Sequence, residues 1–439
     1  MTDTHIILEA ARKAGAQQAE VYQVANEETP VKFEANRLKE LNSRHSSGVA
    51  LRVIKDGHIG FASSTRPGDV EGLVQAALET APFGPEAHFD FPKRAEAPVV
   101  DTFDPATEAF ATDDMIQAGQ SLIDAVRRVE PELLCEGQVR RIIGDLTLAN
   151  TSGAHYSYRG SLLSAWLAGT LIRGTDMLFV GDADASVSPQ LDTARIEETM
   201  RWQLEHARNN AKMRTAEMPV IFTSAGVAGG VVMPLTLAFS GRLVHQGQSP
   251  LAGRLGEEIY DTRLSVHDDA TLPMLPGSRP FDDEGVASRR IPLIEKGTVR
   301  SFMYDLQSAG LAKADSTASA HRALTSQPQV STTSLLIEPG TMTLDEMISG
   351  IEEGLIVEDL IGAGQGNVMS GDFSGNVLLG YKIEKGEIVG RVKDTMVAGN
   401  VHQALANVSA IGSEARWVNG AVHTPPLLFE RMAVSAQAS

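Results

Sequence analysis

The residues of this chain best suited to metal or proton chemistry are its histidines, and five of the eleven follow residue 240. A zinc hydrolase commonly places two histidines one helical turn apart, with a glutamate that takes the proton of the metal-bound water. The nearest approach is His245-Gln246, with Pro250 where an H-E-x-x-x-H motif has its second histidine. Glutamine is not a base at neutral pH, and proline has no donor atom for a metal. We therefore predict no metal ligand and no catalytic residue, and interpret His245, Gln246 and Pro250 as degenerate positions.

The densest group of carboxylates is the run Asp282, Asp283 and Glu284. Such a run could contact a metal or the amine of a substrate, but no second acidic cluster at a fixed spacing accompanies it. We expect a charged turn that pairs locally with Arg289 and Arg290, an interaction that contributes little to stability when it is exposed.

Three other reactive patterns are incomplete. The glycines at 362, 364 and 366 lack the third position of G-x-G-x-x-G, and no Lys-Ser/Thr pair of the phosphate-loop type follows them, so nucleotide binding is disfavoured. The elbow motif G-x-S-x-G of the α/β-hydrolases is absent. Cys135 has no histidine near it in sequence, which favours a buried structural thiol over a nucleophile.

Composition narrows the class of protein further. The 439 residues are 42% hydrophobic and 21% charged, which is typical of a folded globular protein. A formal charge of −18 disfavours binding to nucleic acid or to an anionic membrane. The single cysteine excludes an intrachain disulfide and fits a reducing compartment. The N-terminus reads as an amphipathic helix rather than a signal peptide, so we expect a cytoplasmic protein with no membrane segment.

Periodicity predicts an α+β protein of three units that position these residues. An N-terminal α/β module (an α+β domain) covers 1–106, with a proline-rich linker or draped loop at 81–106. A middle α+β unit covers 107–216, and a β-rich domain covers 217–439. Asp56-Gly57 predicts a hairpin turn between two alternating strands. The glycine-punctuated stretch 360–400 predicts a dense array of short strands and turns.

The order of several short motifs resembles the TldD/PmbA family, and its PmbA (TldE) branch in particular. The resemblance covers nearly the whole chain. The motifs that carry it are AEVY at 19–22, NTSG at 150–153, YSY at 156–158, PFDDEGV at 280–286, IEKG at 294–297, GQG at 364–366, SGDFS at 370–374 and VAGN at 397–400.

This resemblance implies a two-part metalloprotease, which admits unfolded or extended peptides to a closed chamber and trims leader peptides. The TldD-type subunit carries H-E-x-x-x-H and a downstream cysteine as its zinc site, whereas the PmbA-type subunit lacks them. It implies that this chain binds no cofactor, that zinc lies on a TldD-type partner, and that the two form a heterodimer. The isolated chain would be a homodimer.

We therefore expect a non-catalytic subunit that shapes the chamber and binds extended peptide at a sheet edge. The candidate chamber-lining or peptide-binding residues are Asp282, Asp283, Glu284, Ser370, Gly371 and Asp372. One alternative is a self-sufficient hydrolase with a dispersed site made of His245, His267, Asp282 and Glu284. The other is a non-enzymatic binding protein for a toxin or gyrase-like partner, the association behind the family label modulator of DNA gyrase.

Overall fold

The structure, a computed structural model, describes residues 3–66 and 68–436. Its first half is built around one antiparallel sheet. The strands of this half are β1 (Gln18–Glu34), β2 (Arg37–Leu41), β3 (Arg44–Lys55), β4 (His58–Ser64), β5 (Leu134–Asn150), β6 (His155–Arg173) and β7 (Asp176–Ser186). Its helices are α1 (Thr4–Lys13), α2 (Val70–Thr80), α3 (Pro105–Glu108), α4 (Thr112–Val129) and α5 (Thr193–His206).

The strand order of this sheet is β4-β3-β1-β5-β6-β7, and β2 pairs with the end of β1. Alternate side chains of the strands point to one face, which α1 and α2 cover at one end and α4 and α5 at the other. The predicted hairpin turn between β3 and β4 is confirmed, because Asp56 and Gly57 both have positive φ angles, of 51° and 78°.

The predicted boundary at residue 106 does not separate two sheets. Residues 20–33 of β1 pair with residues 137–150 of β5, so strands from both sides of the proline-rich segment lie side by side. Between Phe83 and Pro105 that segment has no helix or strand, and it lies across the sheet with Phe91 buried. The division into 1–106 and 107–216 therefore stays a prediction about folding units.

The second half contains most of the short elements. Its helices are α6 (Ser224–Gly230), α7 (Val232–Ala238), α8 (Gly241–His245), α9 (Leu306–Ala312), α10 (Leu344–Ser349) and α11 (Val401–Ala406). Its strands are β8 (Asn210–Ala211), β9 (Ala216–Phe222), β10 (Val266–Asp269), β11 (Arg290–Glu295), β12 (Thr298–Val299), β13 (Ala320–His321), β14 (Gln329–Val330), β15 (Leu335–Ile337), β16 (Glu353–Ile361), β17 (Asp372–Glu384), β18 (Glu387–Val392), β19 (Thr395–Asn400), β20 (Val408–Ile411), β21 (Arg416–Val418), β22 (Val422–Thr424) and β23 (Leu427–Ala436).

Five of these strands close into a barrel. Their order is β16-β9-β23-β19-β17, and β17 pairs back with β16, while β18 with β8, and β20, extend the barrel at its sides. A second sheet, in the order β12-β11-β10-β15-β22-β21, packs against the barrel through a shared apolar core. The barrel residues Ile221, Ile356 and Tyr381 also belong to a second apolar core, which includes Ile123 of α4 and Leu167 of β6. The predicted α+β class with a β-rich C-terminal region is thus confirmed.

Candidate functional site

The acidic turn at 282–284 is buried, because the chain folds both halves of the molecule over it. Gly285 closes the turn with a φ of 79°. The Asp282 carboxylate accepts hydrogen bonds from the backbone N–H groups of Glu284 at 3.0 Å, Val286 at 2.9 Å and Ala320 at 3.1 Å. Asp282 therefore fixes the shape of the turn with its own oxygens.

Glu284 joins the turn to the first half of the chain. Its side chain is 1% exposed, and its Oε1 accepts a 2.6 Å hydrogen bond from Arg52 of β3. Its Oε2 accepts another, also of 2.6 Å, from the backbone N–H of Leu306 at the start of α9. The Arg52 guanidinium also contacts Glu20 at 3.2 Å, and it lies 5.0 Å from the ring centres of Phe89 and Phe91.

A second arginine completes this buried network. Arg322 lies 2.9 Å from the other oxygen of Glu20, and its guanidinium stacks 4.1 Å from the ring centre of Tyr22. Its backbone N–H donates to Asp283, whose carboxylate is 3.7 Å from Arg279. We name Glu20, Arg52, Arg279, Asp282, Asp283, Glu284 and Arg322 the charged network.

The expected pairing of the acidic turn with Arg289 and Arg290 is wrong. Arg289 donates to the carbonyl of Ser316, and Arg290 contacts His267 and Glu338. The physical reason is burial, since carboxylates removed from water need partners that are themselves buried, and exposed neighbours in sequence cannot follow them inward.

Burial dominates the titration of two carboxylates of the turn, Glu284 and Asp282. It raises the pKa of Glu284 to about 7, against the attraction of Arg52, and it raises the pKa of Asp282 to about 6, against the attraction of Arg279. Asp282 and Asp283 face internal donors, so any role of these two residues in peptide binding stays a prediction. Glu284 lines a cavity.

That cavity, of about 250 Å³, lies between the two halves of the chain. Its polar lining includes Arg52 and Glu284 of the charged network and Gln246 of the degenerate metal position. The structure thus brings two of the sequence candidates, Gln246 and Glu284, to one cavity. The other two degenerate positions, His245 and Pro250, are exposed to solvent. Its other polar side chains are Arg242, Asp305, Gln307, Ser308, Gln327 and Gln329. A lining rich in amides and charges can hydrogen-bond a peptide or water.

The second group of candidates, Ser370, Gly371 and Asp372, lies at a different place, beside α11. Asn400 donates to the Asp372 carboxylate at 2.8 Å and to the Ser370 carbonyl at 2.9 Å, which fixes the turn before β17. Gly371 has a φ of 90°, and a Cβ there would come within 2.4 Å of the His402 ring. The turn therefore needs glycine for its conformation and for the close approach of His402.

Sequence reasoning gave no role to His402, which the structure places at the centre of this second group. Its Nδ1 lies 2.8 Å from the Tyr260 hydroxyl, and its Nε2 is buried with no hydrogen-bond partner among the described residues. Burial lowers the pKa of His402 to about 4. The nearby Asn400, which caps α11, was the one available signal, because it shows that a helix begins beside His402.

His402 should make stability depend on pH. Between pH 6.5 and about 4 the unfolded chain takes up a proton on this imidazole and the folded chain does not. The free energy of unfolding should therefore fall as the pH is lowered through that window, by up to about 3 kcal/mol. Urea unfolding of the wild type and His402→Gln at pH 7.5 and pH 5 checks this, with exposed His5→Gln as control. An equal loss in wild type and His402→Gln would contradict it.

Comparison with known proteins identifies the family to which this chain belongs. A family model described as the PmbA/TldA metallopeptidase C-terminal domain matches residues 215–436, and the model of domain 1 of the same family matches residues 19–81. The chain belongs to the PmbA/TldD family. The predicted family is thereby confirmed.

Relatives of the PmbA/TldD family match the chain over most of its length. A metalloprotease of Methanothermobacter thermautotrophicus is 26% identical over 87% of this chain and 84% of its own. A metalloprotease PmbA homologue of Haemophilus influenzae is 25% identical over 89% of this chain and 81% of its own. The crystal structure of TldE from Thermococcus kodakarensis, 24% identical, superposes with a TM-score of 0.87 over 99% of this chain and 100% of its own.

The family name implies a metal, so we tested whether this PmbA/TldD chain has donors for one. Within residues 3–66 and 68–436, no three His, Cys, Asp or Glu side chains come together as a metal site requires. The His402 ring contacts the Tyr260 hydroxyl, and His267 lies beside Arg290 and Glu338. Of the four residues of the dispersed hydrolase site, Asp282 and Glu284 contact each other within the acidic turn, whereas His267 contacts Arg290 and His245 is exposed to solvent. The donor set described here does not fit a zinc ion.

No helix in those same ranges combines the length and the hydropathy needed to cross a membrane.

Proposed function

We propose that this chain is the metal-free subunit of a two-part peptidase, in which a TldD-type partner supplies the zinc site. The observation that carries the proposal is the donor set, because a member of a metallopeptidase family here brings no three metal ligands together in its described residues. Catalysis on unfolded or leader peptides then needs the partner chain. We place this role in the cytoplasm, where the single cysteine stays reduced.

An exposed apolar strip supports the need for a partner. We name Ile172, Met177, Phe179, Ile361 and Met396 the apolar seam; their exposed fractions run from 37% for Phe179 to 53% for Ile172 and Ile361. Ile172 pairs directly with Met177 across β6 and β7. Met177, Phe179 and Ile361 line one groove with Asn376, which pairs with Met396. A contiguous exposed apolar surface is typical of a protein interface.

The sheet also offers an edge for an extended peptide. β4 pairs with β3 only from Val49 onward, so residues 44–48 have a strand neighbour on one side, β1, among the described residues. The side chains at 44–47 are exposed. A peptide added there would pair its backbone with β3, as peptide-binding sheets commonly do. Ser370, Gly371 and Asp372 remain further candidates for lining its path.

Reconstitution tests the proposal. Cleavage of an unfolded peptide should be measured with this chain alone, with a TldD-type partner alone, and with both copurified. We expect a stable complex and cleavage that requires the partner. Full activity of the isolated chain would contradict the proposal. Repeated failure to bind a TldD-type chain, together with stable capture of another protein, would favour the non-enzymatic alternative.

A further inference from the structure

A separate cavity of about 430 Å³ lies where α5 meets the barrel. It shares no lining residue with the cavity beside the charged network. The residues that could recognise a ligand in it are Glu198, Trp202, Thr223, Glu358, Glu414 and Arg416. None of them was singled out by sequence reasoning, and none has a role in the function proposed above.

Glu358 is the unusual member of this lining. It is only 7% exposed, although it opens on the cavity. It lies at a bulge of β16, since Val357 pairs with Gly380 and Asp359 already pairs with Leu379. A bulge redirects a side chain out of the regular alternation of a strand, and bulges are frequent beside functional sites. Here it turns a carboxylate toward the cavity.

The charges around Glu358 leave it without an ion-pair partner among the described residues. Arg416, the nearest cation in the lining, places its Nη1 3.2 Å from both oxygens of Asp182. Asp182 also contacts Arg195, which contacts Asp184, so these two arginines and two aspartates neutralise one another. Glu358 accepts a 3.4 Å hydrogen bond from Gln203, and the charge of Arg416 acts on it without a direct ion pair.

The remaining charges in the lining have the same sign as Glu358. Glu414 is exposed at the rim, and Glu198 lies 3.9 Å from Arg201 at the surface. Trp202 forms an aromatic wall, held in place by His206 at 4.3 Å and by the edge of Tyr381 at 5.1 Å between ring centres. Carboxylates combined with an indole recognise an organic cation, through charge and through the face of the ring.

We propose that this cavity binds an organic primary ammonium group, with Glu358 as its counter-ion and Trp202 as its aromatic wall. The amino terminus and a lysine side chain of a peptide share this chemistry. An anion is excluded by the carboxylates, and a bare metal ion would need more donors than the described residues bring together. The inference concerns the isolated chain and does not depend on the subunit role proposed above.

Calorimetric titration of the purified chain with n-hexylamine, and with n-hexanol as neutral control, tests the inference. We expect saturable binding of the amine alone, weakened at least tenfold in Glu358→Gln. The exposed Glu136→Gln should bind as the wild type does. Equal binding of amine and alcohol, or unchanged binding by a folded Glu358→Gln, would overturn the inference.

Two peptides then identify the source of the ammonium group. One has a free amino terminus and norleucine in place of lysine, and the other is N-acetylated and keeps its lysine. Binding of the first alone assigns the site to peptide amino termini, and binding of the second alone assigns it to lysine side chains. Binding of neither peptide, with hexylamine still bound, restricts the site to small amines and leaves the ammonium assignment intact.

Discussion

Replacing Arg52 with alanine is expected to lower the free energy of unfolding by about 3–5 kcal/mol, the usual loss when one partner of a buried ion pair is removed. The change leaves Glu20 and Glu284, which are 0% and 1% exposed, without their shared cation. It also removes the guanidinium that lies 5.0 Å from the ring centres of Phe89 and Phe91. Glu20 and Arg52 lie in the sheet of the first half, and Glu284 lies in the second half. Loss of the Arg52 side chain should therefore weaken the contact between the two halves of the chain.

Chemical denaturation of the wild type and Arg52→Ala measures this effect. Arg44→Ala is the matched control, since it removes the 2.7 Å pair with Glu28 at a position where the arginine side chain is 68% exposed. That control should lose no more than about 1 kcal/mol. Equal losses for the two variants would show that the charged network contributes no more than a surface ion pair.

Replacing Met177 with lysine is expected to weaken binding to a TldD-type partner by at least about tenfold, as for a residue at the centre of an interface. The substitution places a charge in the middle of the apolar seam, between Ile172 and the groove that contains Phe179 and Ile361. Folding should be little affected, because Met177 is 50% exposed.

Titration of the labelled partner with each variant measures the dissociation constant. Leu41→Lys on β2 is the matched control, since Leu41 is 46% exposed and lies outside the apolar seam. Sedimentation of the isolated chain shows whether the same surface also joins two copies of it. Unchanged affinity in a folded Met177→Lys would remove the apolar seam from the proposal.

Local features of this fold were accessible from sequence, and long-range ones were not. Asp56-Gly57 specifies its own turn through residues that tolerate positive φ, and the apolar runs on either side of it predict the two strands, although both faces of β3 are buried from Val49 to Ile54. The closure of the barrel by β16 and β17 has no such local signal. Nor does the pairing of β1 with β5, because an apolar alternation shows that a strand has a buried face and does not name its neighbour.

The candidate site also depends on long-range contacts that the sequence does not show. The carboxylates at 282–284 were visible as a cluster, but Glu284 pairs with an arginine 232 positions earlier in the chain. Only the fold brings that arginine close, and the neighbours Arg289 and Arg290 point elsewhere. Glu358 was not found for a related reason, since a bulge depends on the register of two strands and leaves no pattern in one of them.

The most direct test of the metal-free subunit is the zinc content of the purified chain, measured by mass spectrometry after expression in zinc-supplemented medium and removal of loosely bound ions. A TldD-type partner prepared in the same way is the positive control. We predict well below one zinc per chain for this protein and one per chain for its partner. One tightly bound zinc per chain here, with peptidase activity that a chelator abolishes, would contradict the account.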